Sequence, residues 1–311
     1  MSADKKNLFA VIDSGTNSFS LSIYEPSTAG QFKRVYKENY FVELLENSNQ
    51  IISPAAMERA LRAYELFAET LCYKEVSQIK AVATAAFRQA ENAAELIQTI
   101  WEETNIKIEV ISGEQEAELI YQGVKLAAPI PAKGNALIMD IGGGSVEFIL
   151  CNQEKGKLWA ESFAVGAAVL YNQYPLSDPT NAIELNYLQQ QLHAKLSNLW
   201  KMSAQFPPQT LIGASGTFDV LLALVGKRKG QNLYELFPAT RFHKEIFPAL
   251  CYTSQAQRAK MPQVPPQRSK MLIGILSLIK LVLDNCLVQN LAVSDYALRE
   301  GLALSMCQNK V

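Results

Sequence analysis

Hydrophobic and polar positions first fall into a pattern at residues 8–23, where the apolar run Leu8-Phe9-Ala10-Val11-Ile12 ends in Asp13. Small turn residues follow, Ser14-Gly15-Thr16-Asn17-Ser18, and a second strand-like segment runs to Ile23. Two strands joined by a turn are expected here. Residues 32–45 alternate loosely and supply further strands. Ser53-Pro54 then opens a helix, with Ser as the N-cap and Pro in the first turn, and Met57, Ala60, Leu61, Tyr64, Phe67, Ala68 and Leu71 form its apolar stripe. A strand over 79–83 delivers Thr84, Arg88 and Gln89 onto a loop. Asn92 and Glu95 read as a capping box for a helix to about 103, and 106–111 is the next strand. A second capping signature, Ser112 with Gln115, starts a helix that Pro129 and Pro131 end. Later elements are strands at 137–150 and 158–165, a long helix over 183–202, and a strand at 210–214. A glycine-bearing turn over 213–217 leads into a helix from 218. A Pro-rich loop at 261–267, a buried helix over 271–283 and a strand at 291–294 precede a terminal helix from 296 with Asp295 as its N-cap. Alternating strands and helices predict an α/β fold.

The stretch Leu137-Ile138-Met139-Asp140-Ile141-Gly142-Gly143-Gly144-Ser145-Val146-Glu147 repeats the first hairpin. Aligning Asp13 with Asp140 places Gly15 on Gly142 and Ser18 on Ser145 without a gap. An isolated glycine run serves equally well as a tight hairpin. Its recurrence predicts two related lobes, each offering a turn to a shared cleft. Successive backbone N–H groups unshielded by side chains converge on anions, and flanking carboxylates suit a hard cation, so a phosphate with magnesium fits such a place.

In the helix after Ser112, Glu116 shares a face with Leu119, Ile120, Gly123 and Ala127, whereas Glu114 and Glu118 lie among polar neighbours. Glu116 is therefore the inward carboxylate, structural or functional. Gly213-Ala214-Ser215-Gly216-Thr217, between strand and helix, is a weaker anion-site signal. His193, in a helix, and His243, in a loop, have no partner that makes either a catalytic base.

At 311 residues, 49% of them hydrophobic and 19% charged, the chain suits two globular cores. Polar residues 1–7 argue against export, and the apolar stretch 271–283 is too short to span a bilayer. Five scattered cysteines without CxxC spacing read as buried thiols of a reducing cytoplasm and argue against a zinc site. Net charge is −1, yet residues 201–270 hold ten basic side chains, Lys227, Arg228, Lys229, Arg268 and Lys270 among them, against three acidic ones. That asymmetry suits an anionic partner or a solvated surface. Nucleic acid is disfavoured because aromatics are not interleaved with the basic residues.

Together these segments, with 111–117 and Leu298-Arg299-Glu300-Gly301, resemble the exopolyphosphatase and guanosine pentaphosphate phosphohydrolase family of the actin, Hsp70 and sugar kinase superfamily. The resemblance implies two RNase H-like (actin-like ATPase) lobes with an interlobe cleft. One comprises residues 1–127 joined by the terminal helix 296–311, the other residues 128–295. It implies a cytoplasmic, magnesium-dependent hydrolase that takes terminal phosphate from polyphosphate or the 5′ γ-phosphate from guanosine pentaphosphate, with no membrane or nucleic acid as partner. Monomer and homodimer both stay open. Carried to matching positions, Glu116 activates water. Asp140 and Glu147, with Asp13, hold the metal, and Asn17, Ser18, Arg88, Gly143, Gly144, Ser145 and Arg268 hold phosphate. Glu43, Leu45, Val146, Lys270 and Ser20 depart from the family pattern; Glu43 and Lys270 keep a non-catalytic binding protein in view, and the turn over 213–217, as an adenosine-side loop, keeps an ATP-dependent kinase in view.

Overall fold

Strand β1 (Phe9–Ser14) pairs antiparallel with β2 (Ser18–Pro26), so the first expected hairpin forms, with Asp13 directly opposite Ser20. The structure, a computed structural model, describes residues 7–27, 31–45, 50–128, 130–226 and 233–308. The chain divides into two compact units, residues 1–123 with 298–311 and residues 124–297.

In the first unit β3 (Phe32–Phe41) lies outside β2, while β4 (Gln78–Ala83) and β5 (Ile108–Val110) extend the sheet in parallel beyond β1, giving the order β3-β2-β1-β4-β5. The helices are α1 (Pro54–Tyr73), α2 (Ala85–Gln89), α3 (Ala93–Thr104), α4 (Gly113–Ala127) and the C-terminal helix Leu298–Gln308. Strand alternation decides which face of β2 is apolar: Phe19, Leu21 and Ile23 join Ala60, Tyr64 and Phe67 of α1 in one core. Ser20, Ser22 and Tyr24 point the other way. The C-terminal helix meets that polar face, where Glu300, fully buried, accepts from the Tyr24 hydroxyl and Arg34 Nη1, each at 2.9 Å. Burial, reinforced by Glu300, pushes the Tyr24 phenol well above its ordinary range.

The second unit contains β6 (Asn135–Ile141), β7 (Val146–Asn152), β8 (Gly156–Phe163), α5 (Ala167–Gln173), α6 (Ala182–Lys195), α7 (Ser197–Gln205), β9 (Pro208–Gly213), α8 (Gly216–Leu224), β10 (Tyr234–Pro238) and β11 (Asn290–Ser294). Its sheet order is β10-β11-β9-β6-β7-β8. Read from β8 to β11, this repeats β3 to β5 of the first unit in order and in every pairing direction. The sequence repeat is thus a repeat of topology, and β10 is an added edge strand. The buried helix Leu272–Asn285 supplies much of the second core.

Several local expectations are corrected. Arg88 and Gln89 lie on α2 rather than a loop. Asn92 does not cap α3 with its side chain; its amide instead brackets Ile52, accepting from Ile52 N at 2.9 Å and donating to Ile52 O at 3.0 Å. The helix expected over 183–202 is two, breaking at Leu196. A short helix, Pro266–Ser269, forms within the Pro-rich stretch, and α8 begins at Gly216. His243 sits in the helical turn Phe242–Ile246, 3.6 Å from Asp284, and the terminal helix starts at Leu298, three residues beyond Asp295. Cys72 is exposed, unlike Cys151, Cys251 and Cys286. Pro129 lies outside the described residues.

Gly226 follows α8 with φ +78 and donates its N–H to Ala223 O at 3.1 Å, while no atom lies within 4 Å of where a Cβ would stand. Only backbone conformation opposes a side chain there. Gly226→Ala should lower stability by about 1 kcal/mol and Gly226→Asn by less, measured by chemical denaturation.

Candidate functional site

In each unit the turn between the first two strands has its carbonyls tied back. Gly15 N donates to Ser18 O at 3.2 Å and Gly142 N to Ser145 O at 2.9 Å, which is one turn geometry used twice. In the first unit, Thr16 O accepts from Leu44 N at 2.8 Å, and Asn17 O from Val42 N at 2.9 Å and Glu43 N at 3.1 Å. Arg59 holds that tether in turn by bonding the Val42 and Glu43 carbonyls. In the second unit, Gly142 O accepts from Ala167 N at 2.9 Å and Gly143 O from Ala168 N at 2.8 Å, both in the first turn of α5. Because a trans peptide points its C=O and N–H in opposite directions, tethering these carbonyls turns outward the N–H groups of Asn17, Ser18, Gly143 and Gly144. Gly166 makes the second tether possible, since a Cβ there would stand 2.4 Å from Gly143 O. Each turn is a preformed edge of amide donors suited to a phosphate oxygen.

The first unit also brings Glu116 and Arg88 together. Glu116 is 6% exposed, near the start of α4, where Ser112 and Gln115 form the expected capping box. Arg88 Nη1 donates to Glu116 Oε2 at 2.7 Å and to Ile111 O at 2.9 Å, and the Arg88 side chain is 23% exposed. Glu114 is exposed, and Glu118, half-buried, accepts from Gln122.

Charges of both signs act on Asp13: Arg299 and Lys37 on one side of the balance and the buried Glu300 on the other. Ser20, its cross-strand neighbour, accepts from Arg299 Nη1 and donates to Asn39 Oδ1. Burial raises the Asp13 carboxyl, chiefly opposed by the charge of Arg299. The Arg299–Ser20 contact joins residues 279 apart in sequence. Arg299 lies in a motif visible in the chain, but no local pattern points it at β2.

In the second unit Asp140 and Glu147 are direct cross-strand partners. Like charges so placed repel. Glu147 is 1% exposed, and its Oε1 accepts from the Ser145 and Ser162 hydroxyls, each at 2.7 Å. Ser162 is opposite Glu147 on β8 and becomes recognisable only once that register is known. Two carboxylates with neighbouring hydroxyls form an all-oxygen donor set that fits magnesium, which binds through one or two carboxylates and keeps its remaining waters. Among the described residues no three His, Cys, Asp or Glu are grouped to hold a metal without such waters.

Arg268 stands at the start of α8, its guanidinium filling the space where a Gly216 Cβ would be. Lys270 Nζ lies 5.6 Å from the centre of the Tyr171 ring. Of the described basic residues in 201–270, Arg241 pairs with Glu245, and Arg258 is buried, 3.7 Å from Asp178. Lys227, Arg228 and Lys229 lie outside the described residues. No helix among the described residues is long and apolar enough to cross a membrane.

Residues 24–310 match the Ppx/GppA phosphatase family. The crystal structure of an exopolyphosphatase from Cytophaga hutchinsonii is similar at TM-score 0.91 and 31% identity, over 97% of this chain and 98% of that one. That of the Aquifex aeolicus member of the Ppx/GppA family gives TM-score 0.80 at 24% identity, over 97% and 98%. Among curated proteins, a guanosine-5′-triphosphate,3′-diphosphate pyrophosphatase of Aeromonas salmonicida is 28% identical over 314 residues, 97% of this chain and 60% of that protein. The chain thus spans about 60% of the length of the curated relatives it matches.

Proposed function

The chain belongs to the Ppx/GppA phosphatase family, and from that premise we propose that it is a cytoplasmic hydrolase of phosphoric anhydrides, removing terminal phosphate from inorganic polyphosphate or the 5′ γ-phosphate from guanosine pentaphosphate. The observation that carries this reading is the Glu116–Arg88 pair, a buried acid held 2.7 Å from a guanidinium. Phosphoryl transfer needs charge neutralisation and an aligned nucleophile more than covalent help. Arriving phosphate draws the Arg88 guanidinium from Glu116 onto its own oxygens. The released carboxylate then accepts a proton from water, whose oxygen bonds to phosphorus as the anhydride P–O bond breaks. The outward N–H groups of Asn17 and Ser18 in the first unit, and of Gly143 and Gly144 in the second, are donors suited to phosphate oxygens. Arg268, against Gly216, is the further phosphate contact that the family resemblance names. Asp140 and Glu147 hold the magnesium ion, which when bound supplies further neutralisation of phosphate charge.

Phosphate release from long polyphosphate and from guanosine pentaphosphate, each with and without magnesium, tests the reading. Turnover of at least one substrate, lost on chelation, is expected. Tight binding of both without release in any divalent metal would make the chain a binding protein instead, and phosphate transfer from ATP to a small hydroxyl compound would make it a kinase.

A further inference from the structure

Residues 42–44 tie back the first turn, and one charged side chain stands behind them. Each tie can be followed peptide by peptide. Arg59, half-buried on α1, donates from Nε to Val42 O at 2.7 Å. At its other end the same peptide donates from Glu43 N to Asn17 O at 3.1 Å. Asn17 O shares its peptide with the N–H of Ser18. The second tie runs alongside: Arg59 Nη2 donates to Glu43 O at 3.1 Å, and Leu44 N, across that peptide, donates to Thr16 O at 2.8 Å. Thr16 O shares its peptide with the N–H of Asn17. One guanidinium thus stands two peptides behind each outward amide of this turn. Because a trans peptide sets its C=O and N–H in opposite directions, the dipoles in each tie line up head to tail, with the cation behind them. Glu43, where the ties meet, has φ 48, a left-handed conformation that costs a non-glycine residue about 1 kcal/mol. Its ties, not local preference, set the shape of this segment. The second turn is built differently, since its carbonyls take donors directly from α5 at Ala167 N and Ala168 N.

We propose that Arg59 is a positioning residue for anion binding by the first turn: it fixes the Asn17 and Ser18 amides and polarises them through the two peptide relays, without touching the phosphate. The planar guanidinium matters because its two donors reach two successive carbonyls at once. This role rests on the phosphate-binding reading of the first turn and deepens it.

Inorganic pyrophosphate, titrated into the full chain and followed at the Asn17 and Ser18 amides by nuclear magnetic resonance, provides the test. Arg59→Gln should raise the dissociation constant about fivefold, through weaker polarisation and looser amides together. The constant comes from resonances of folded molecules, so a loss of stability alone leaves it unmoved. Arg59→Lys keeps the charge but loses the fork, and should recover little of the lost affinity. A change below about twofold for Arg59→Gln, or full recovery in Arg59→Lys, overturns the relay. Amides that ignore pyrophosphate in the unaltered chain would remove the anion site, and the role of Arg59 with it. Pyrophosphate binding at these amides, in a chain that releases no phosphate from polyphosphate or guanosine pentaphosphate, would end the hydrolase reading and leave the role of Arg59 standing.

Discussion

Glu116→Gln is expected to lower phosphate release by about a thousandfold, within the range of roughly 10²–10⁴ that a positioned general base contributes, while substrate binding survives. The amide matches the carboxylate in shape, so its neighbours need not repack. Arg88 keeps its bond to the Ile111 carbonyl at 2.9 Å and, at 23% side-chain exposure, also reaches water. Losing the ion pair there costs far less than stranding a fully buried charge would. Arg88→Gln should differ in kind, since it removes the group drawn onto phosphate: KM should rise along with a fall in kcat. Single-turnover phosphate release with parallel equilibrium binding separates the two effects. A fall of less than tenfold for Glu116→Gln, with binding unchanged, would remove Glu116 from the base role.

What the sequence discloses about this arrangement divides by range. Asp13-x-Gly15-x-x-Ser18 and its copy at 140–145 are local signatures, and they suffice to anticipate two hairpins whose turns prove identical in their Gly N to Ser O bond. The inward direction of Glu116 follows from helical spacing alone. Helix starts at Ser53 and Ser112 are legible because a cap is decided within four residues. Asn92 carries the same signal without the same outcome, because Ile52, 40 residues earlier, competes for its amide. Likewise no periodicity announces that 183–202 breaks at Leu196, or that Ser162 hydrogen-bonds Glu147. Those features depend on register and tertiary contact, which a linear pattern does not carry.

The terminal segment Arg299-Glu300-Gly301 shows the same limit and gives the second large effect. Its three residues meet three different surroundings. Arg299 reaches β2, Glu300 gathers Tyr24 and Arg34, and Gly301 has no side chain because helix α4 occupies the space one would need. A Cβ on Gly301 would stand 1.8 Å from the Leu119 carbonyl oxygen and 2.6 Å from its carbon. The obstacle is backbone, which no rotamer change removes. Leu119 is one helical turn beyond Glu116, so relieving the clash means moving either the terminal helix off its buried carboxylate or α4 away from Arg88. Gly301→Ala should therefore cost about 3 kcal/mol, the upper end of ordinary overpacking, and lower the midpoint of thermal unfolding by roughly 6–12 °C. Activity should fall even at temperatures where the variant remains folded, because the Glu116–Arg88 distance is set by the element being displaced. Adding Leu119→Ala is the informative control: a side-chain clash would be relieved by truncation, whereas a backbone clash should leave the double variant no more stable than Gly301→Ala. A Gly301→Ala protein with unaltered melting and turnover would mean that α4 and the terminal helix are not held at this distance, and that Glu116 owes its position to its cap and to Arg88 alone.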